Sequence, residues 1–149
     1  MRRLLTLFAL YTLVPAAPRL VDAQNNAIVV IVNNATIPVE ALTRDQVSKL
    51  FLKKVERWDT GTPVAPVDLA PGSEVRDVFS RAIFLKSTSA IKSYWQNQIF
   101  SGRGVPPPER DSEAQVLDFV RTTPGAIGYV AASTPLAVGV RPVRVVARR

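Results

Sequence analysis

The sequence predicts an α/β domain: a small mixed sheet flanked by helices on both faces. Three observations lead there. Residues 27–32 (AIVVIV) are a continuous aliphatic run rich in β-branched side chains, the pattern of a strand buried on both faces. Downstream, helical apolar stripes alternate with short apolar segments bounded by turns, as layered α/β folds require. Finally, residues 124–130 (PGAIGYV) form a junction from helix through turn to strand. Proline cannot continue a helix, Gly125 accepts a positive φ, and Ile127, Tyr129 and Val130 favour extended backbone. Gly128, inside that strand, marks either a packing glycine or a close approach to the backbone.

Each element follows from its local chemistry. Asn33 and Asn34 end the first strand. Thr43 with Gln46 three residues on is a capping box opening a helix, with Val47, Leu50 and Phe51 on its inner face. Lys53 and Lys54 suit the negative end of its dipole. After a turn over 58–63, a strand is expected over 64–69. Ser73 then caps a second helix whose stripe reads Val75, Val78, Phe79, Ala82 and Ile83. Ser87 or Ser89 opens a third, with Ile91, Tyr94, Trp95 and Ile99 inward. Residues 101–110, with two glycines and three consecutive prolines, must form an extended loop. Ser112 and Gln115 form another capping box for a fourth helix with Val116, Phe119 and Val120 inward. A polar turn around 133–135 leads to a last strand near 140–146.

Composition narrows the function. Arg2, Arg3 and the apolar run 4–14 read as the start of a signal peptide, with cleavage after Ala23, and 24–149 as one domain. The expected location is therefore periplasmic or secreted, with no membrane span once the leader is removed. Beyond position 23 there are 16 Lys and Arg against 11 Asp and Glu, a balance that favours anionic partners. The charges are scattered rather than clustered, which argues against nucleic acid. The chain has no histidine and no cysteine. That removes His-based triads, disulfides and nearly all zinc chemistry. No catalytic constellation, metal site or cofactor is expected. Trp58 and Trp95 read as packing residues; exposed, they would instead form a partner-binding patch.

Several blocks occur in the order found in one family. Leu42-Thr43-Arg44-Asp45-Gln46-Val47 with Leu50-Phe51, then Arg57-Trp58 and Gly61, resembles the first-helix pattern of phosphate-type substrate-binding proteins of ABC importers. Val75-Arg76-Asp77-Val78-Phe79 resembles the helix after that family's anion loop. Tyr94-Trp95 with Phe100-Ser101-Gly102, and the run Pro124 to Val130, resemble its later blocks. The resemblance implies one lobe of a two-lobed, periplasmic-binding-protein-like clamshell, standing alone. It also implies an anion loop in the stretch Asp68-Leu69-Ala70-Pro71-Gly72-Ser73-Glu74-Val75.

Gly72 and Ser73 match that loop, but Glu74 and Val75 replace the family's Gly-Thr pair and no arginine precedes it. Gly72, Ser73 and Arg76 are the candidate ligand-binding residues. The expected function is an exported, non-catalytic binding module taking phosphate or another small anion weakly. The alternative is a cell-envelope protein-interaction module on the same fold that has lost ligand binding.

Overall fold

The computed structural model describes residues 27–146; the expected leader, 1–23, lies outside the described residues. The elements run β1 (Ile28–Asn33), β2 (Ala41–Thr43), α1 (Arg44–Phe51), β3 (Ala65–Pro66), β4 (Asp68–Leu69) and α2 (Glu74–Phe79). A π-helical turn (Ser80–Phe84) continues α2. Then come α3 (Thr88–Phe100), β5 (Glu109–Arg110), α4 (Glu113–Thr122), β6 (Ala126–Ala131) and β7 (Val140–Val146). The main sheet has the order β2-β7-β1-β6-β3, and β4 pairs with β5 in a separate two-stranded piece. The sheet is mixed: β1 is antiparallel to both β6 and β7, while β2 and β3 run parallel to β7 and β6. Among the described residues no helix is long and apolar enough to cross a membrane.

The register of β1 and β6 shows why both faces are covered. Val30 pairs with Tyr129 and Ile31 with Gly128, so alternate residues serve opposite faces. On one face the Tyr129 ring stacks on Phe79 at 3.8 Å and meets Phe51 at 5.8 Å, binding α1 and α2 to the sheet. On the other, a Cβ at position 128 would come within 2.9 to 3.1 Å of Val116, Val67 and Val120. Gly128 is thus a packing glycine, which lets α4 approach the sheet closely.

Asn33 lies on the α4 face and is buried. Its amide donates to the carbonyls of Val120 and Arg121, which would otherwise be orphaned at the end of α4. Its Oδ1 accepts from the Ala35 and Thr36 amides, so one side chain ends β1 and caps a helix 87 residues away.

The local signals work as read at three helix starts. Thr43 and Gln46 form both capping-box bonds, Ser73 accepts from the Arg76 amide, and Ser87, not Ser89, caps α3. At α4, Ser112 accepts from the Gln115 amide, but the Gln115 side chain reaches back to the Asp111 amide rather than to Ser112.

The apolar stripes need correction. The buried side of α2 and its π turn is Arg76, Phe79, Ser80 and Ile83; Val75 and Val78 are half-buried and Ala82 is exposed. On α3, Ile91 and Trp95 are buried, Tyr94 is half-buried and Ile99 is exposed. The strand expected over 64–69 is broken at Val67: its first part joins β6 and its second part turns away to β5. The proline-rich loop ends in β5, a strand made only by that partner.

Candidate functional site

The stretch matched to an anion loop connects β4 to α2. Gly72 has φ +91 with open space around its Cα, and it is exposed. Beside it, Ser73 caps α2 through the Arg76 amide. Glu74, the first residue of α2, is exposed. Backbone therefore places Gly72 and Ser73 at the mouth of the helix, as the motif requires. The side chain of Arg76 goes elsewhere.

Arg76 is only 5% exposed. Its guanidinium donates to the Leu69 carbonyl at 2.7 Å and to Glu109 Oε1 at 2.6 Å, and pairs with Asp68 Oδ2 at 3.1 Å. Asp68, also buried, takes the Leu69 amide on Oδ1 at 2.9 Å and the Tyr129 hydroxyl on the same oxygen. One guanidinium thus joins β4, β5 and α2, and through Asp68 the core strand β6. Both terminal nitrogens of Arg76 are thus engaged on protein oxygens, two of them carboxylates.

Burial raises the Asp68 pKa above the ordinary carboxylate value, although Arg76 and the Tyr129 hydroxyl pull the other way. The Tyr129 hydroxyl is pushed far up, first by burial and then by the neighbouring Asp68 charge. It is therefore a fixed donor, not a source of phenolate.

The sign of the pH dependence follows. An acid whose folded pKa is raised binds its proton more tightly when folded, so its contribution to stability is complete at low pH. That contribution is lost as pH rises through the folded pKa. We expect the stability of the wild type relative to Asp68→Asn to decline as pH is raised from about 4 toward neutrality, since asparagine cannot titrate. Urea unfolding of both proteins across that range measures it. A difference that grows with pH contradicts the direction.

A cavity of about 490 Å³ opens beside this network, between the loop and α3. Gly72, Arg76, Asp77, Lys92, Trp95 and Glu109 line it. Asp77 accepts from the Thr88 hydroxyl, which ties α2 to the start of α3. Around the loop, Asp68, Glu74, Asp77 and Glu109 stand against Arg76 and Lys92. An anion arriving there meets more negative than positive charge, and the better cation is already neutralised.

Of the three residues singled out from sequence, Gly72 and Ser73 share the loop, while Arg76 is turned into the base beneath it. Sequence reasoning missed Asp68 and Glu109 as its partners. The available signal was an acidic residue on a strand expected to be buried, for which a buried cation is the natural counterpart.

Trp58 and Trp95 are both buried, which excludes them as a partner patch. Trp58 instead donates its indole N–H to the Gly125 carbonyl at 2.9 Å. Among the described residues, the aromatic that does stand in solvent is Phe100, 89% exposed, at the end of α3, with Ile99 and Val105 also exposed nearby in sequence. No cluster of three or more potential metal ligands occurs among the described residues.

A mixed sheet clad on both faces, with a glycine-serine loop at the start of a helix, defines one lobe of a binding-protein fold. The family model described as a PBP superfamily domain matches residues 18–144, and the chain belongs to that family. Its structure is similar to an ABC-type phosphate transport receptor from Vibrio cholerae, with a TM-score of 0.61 and 18% identity. The match covers 78% of this chain and 44% of that one. It is also similar to a structure described as a phosphate ABC transporter substrate-binding protein with bound phosphate from Clostridium perfringens. There the TM-score is 0.62 and the identity 23%, over 79% of this chain and 44% of that one. The chain therefore spans less than half the length of these structures, as a single lobe does, and at such identities the likeness is one of fold. No curated protein sequence matches it.

Proposed function

We propose that this chain is an exported, non-catalytic binding module that uses one binding-protein lobe to engage another protein rather than to capture a free anion. The observation that carries the reading is the sequestration of Arg76 between Asp68 and Glu109. A guanidinium held between two carboxylates offers an incoming anion little net positive charge. Glu74 adds a negative charge in the first turn, where an incoming anion would need the opposite. A single lobe also leaves any small ligand half exposed to water. The non-catalytic part rests on chemistry: the chain has no histidine or cysteine, and the Tyr129 hydroxyl is locked as a donor to Asp68.

A second reading, weak binding of phosphate or a similar anion, is favoured by the open loop at Gly72 and Ser73 and by the phosphate-binding relatives. Calorimetric titration of the purified protein with phosphate and with sulfate separates the two. The expected result is no heat at millimolar ligand. Heat that Gly72→Asp or Ser73→Ala abolishes would establish the anion site and overturn the protein-only reading.

A further inference from the structure

Strand β7 changes partners along its length. Val140 to Val143 pair with β1, whereas Arg144 to Val146 pair with β2. Strand β1 begins two residues before its ladder with β7, at Ile28, so the sheet parts along a seam there. The seam opens as a cavity of about 670 Å³. Its wall is apolar, with Ile28, Val78, Ile83 and Val143 among the lining side chains; two exposed arginines, Arg44 and Arg144, also line it.

The first residues of β1, Ile28 and Val29, lie outside its ladder with β7 on this side. The Ala132 amide donates to the Ala27 carbonyl and the Asn34 amide to the Gly139 carbonyl. Bonding alternates along an antiparallel strand, so odd-numbered residues of β1 bond to β6 and even-numbered ones turn toward β7. Val32 and Val30 meet Arg141 and Val143 in that row. Ile28 is next in the row, before the β1–β7 ladder begins, so its N–H and C=O turn toward the seam with no ladder partner there among the described residues. Such an edge is a template for another strand. In addition, neither Arg44 nor Arg144 lies within ion-pair distance of a carboxylate among the described residues.

We propose that this seam docks an extended, acidic and apolar peptide segment of a partner protein, added as a short strand along β1 at Ile28. The inference rests on the protein-interaction reading and names the chemistry of the partner. The main chain of the peptide takes the free Ile28 groups, an apolar side chain enters among Val78, Ile83 and Val143, and carboxylates meet Arg44 and Arg144. A lipid surface has no backbone to complete the row. A second copy of the chain fits poorly, because its own strand at this place carries Arg141 and Arg144. The chain's own leader carries Arg2, Arg3 and Arg19 against the single acid Asp22, which is again the wrong sign.

The test is fluorescence polarisation on the full chain with a short labelled peptide of alternating glutamate and valine. Peptides alternating lysine with valine, and glutamate with serine, serve as comparisons. We expect the glutamate–valine peptide to bind and both comparisons to bind at least about tenfold more weakly, the equivalent of about 1.4 kcal/mol. The double change Arg44→Glu and Arg144→Glu should weaken it at least as much, at exposed positions that spare the core.

Ile28→Pro removes the edge donor without touching the β6 ladder and should also abolish binding. If that variant fails to fold, amide exchange at Ile28 in the wild type must slow when the peptide is added. Equal binding of the glutamate and lysine peptides, or binding to neither, overturns the proposal. So does a dimer in sedimentation whose Ile28 amide is protected without peptide. Phosphate calorimetry on the same preparation keeps the two readings apart. Heat there counts against the protein-only reading, whereas absent peptide binding without such heat sinks the seam alone.

Discussion

Replacing Gly125 by alanine is expected to cost more than about 4 kcal/mol, a large share of the roughly 5–15 kcal/mol that holds a domain of this kind together. Two effects combine. Gly125 has φ +75, a conformation that costs an alanine about 1–2 kcal/mol. In addition, a Cβ there would fall on the Pro63 carbonyl oxygen, far inside van der Waals contact, and would also crowd the Thr62 side chain. Backbone would have to move, since Pro63 offers no flexible atom to yield.

The cost spreads because Gly125 is a junction. Its carbonyl accepts from both the Trp58 indole and the Ala65 amide, and its amide donates to the Thr36 hydroxyl. Shifting it loosens the 58–63 turn, the start of β3 and the segment after β1 together. Gly102→Ala is the control: φ there is +65, but nothing lies within 4 Å of the added Cβ. It should cost about 1–2 kcal/mol. Guanidinium unfolding of both variants separates conformational strain from collision, and equal costs would refute the collision.

The run 124–130 illustrates what can be read in one dimension. The packing role of Gly128 is set by the distant Val67, Val116 and Val120, but the turn and the strand of this run follow from local chemistry, as do the helix caps at Thr43 and Ser73. These signals depend on neighbours within four residues. By contrast, β2, β3, β4 and β5 are two or three residues long, too short for any period, and exist only because a distant strand lies alongside.

The second helix shows a different failure. Its inward stripe was expected at 75, 78, 79, 82 and 83, on the rule that the apolar side faces the core. Arg76 sits inside because Asp68 and Glu109 receive it, and that compensation appears only once β4, β5 and α2 are brought together. The loop, Gly72 and Ser73 were legible. The charge that decides what the loop can bind was not.

Arg76→Met should therefore be the most damaging change near the loop, at about 3–5 kcal/mol, because it strands a buried carboxylate while keeping the volume of the side chain. Glu109 is partly exposed and can turn to water; Asp68 cannot. Asp68 then either stays charged without a counter-ion or takes up a proton, and both states cost free energy at neutral pH. Adding Asp68→Asn to Arg76→Met removes that charge while leaving an oxygen for the Tyr129 hydroxyl. The double variant should recover most of the loss, with a coupling of about 1–3 kcal/mol in a double-mutant cycle read from unfolding curves.

Arg76→Lys should not substitute, since a single ammonium cannot reach the Leu69 carbonyl and both carboxylates in the geometry of a guanidinium. An Arg76→Met cost below about 1 kcal/mol, the range of exposed pairs, would mean that the guanidinium is not engaged inside. Arg76 would then be free to face a ligand, and the anion reading of the loop would regain the cation it lacks.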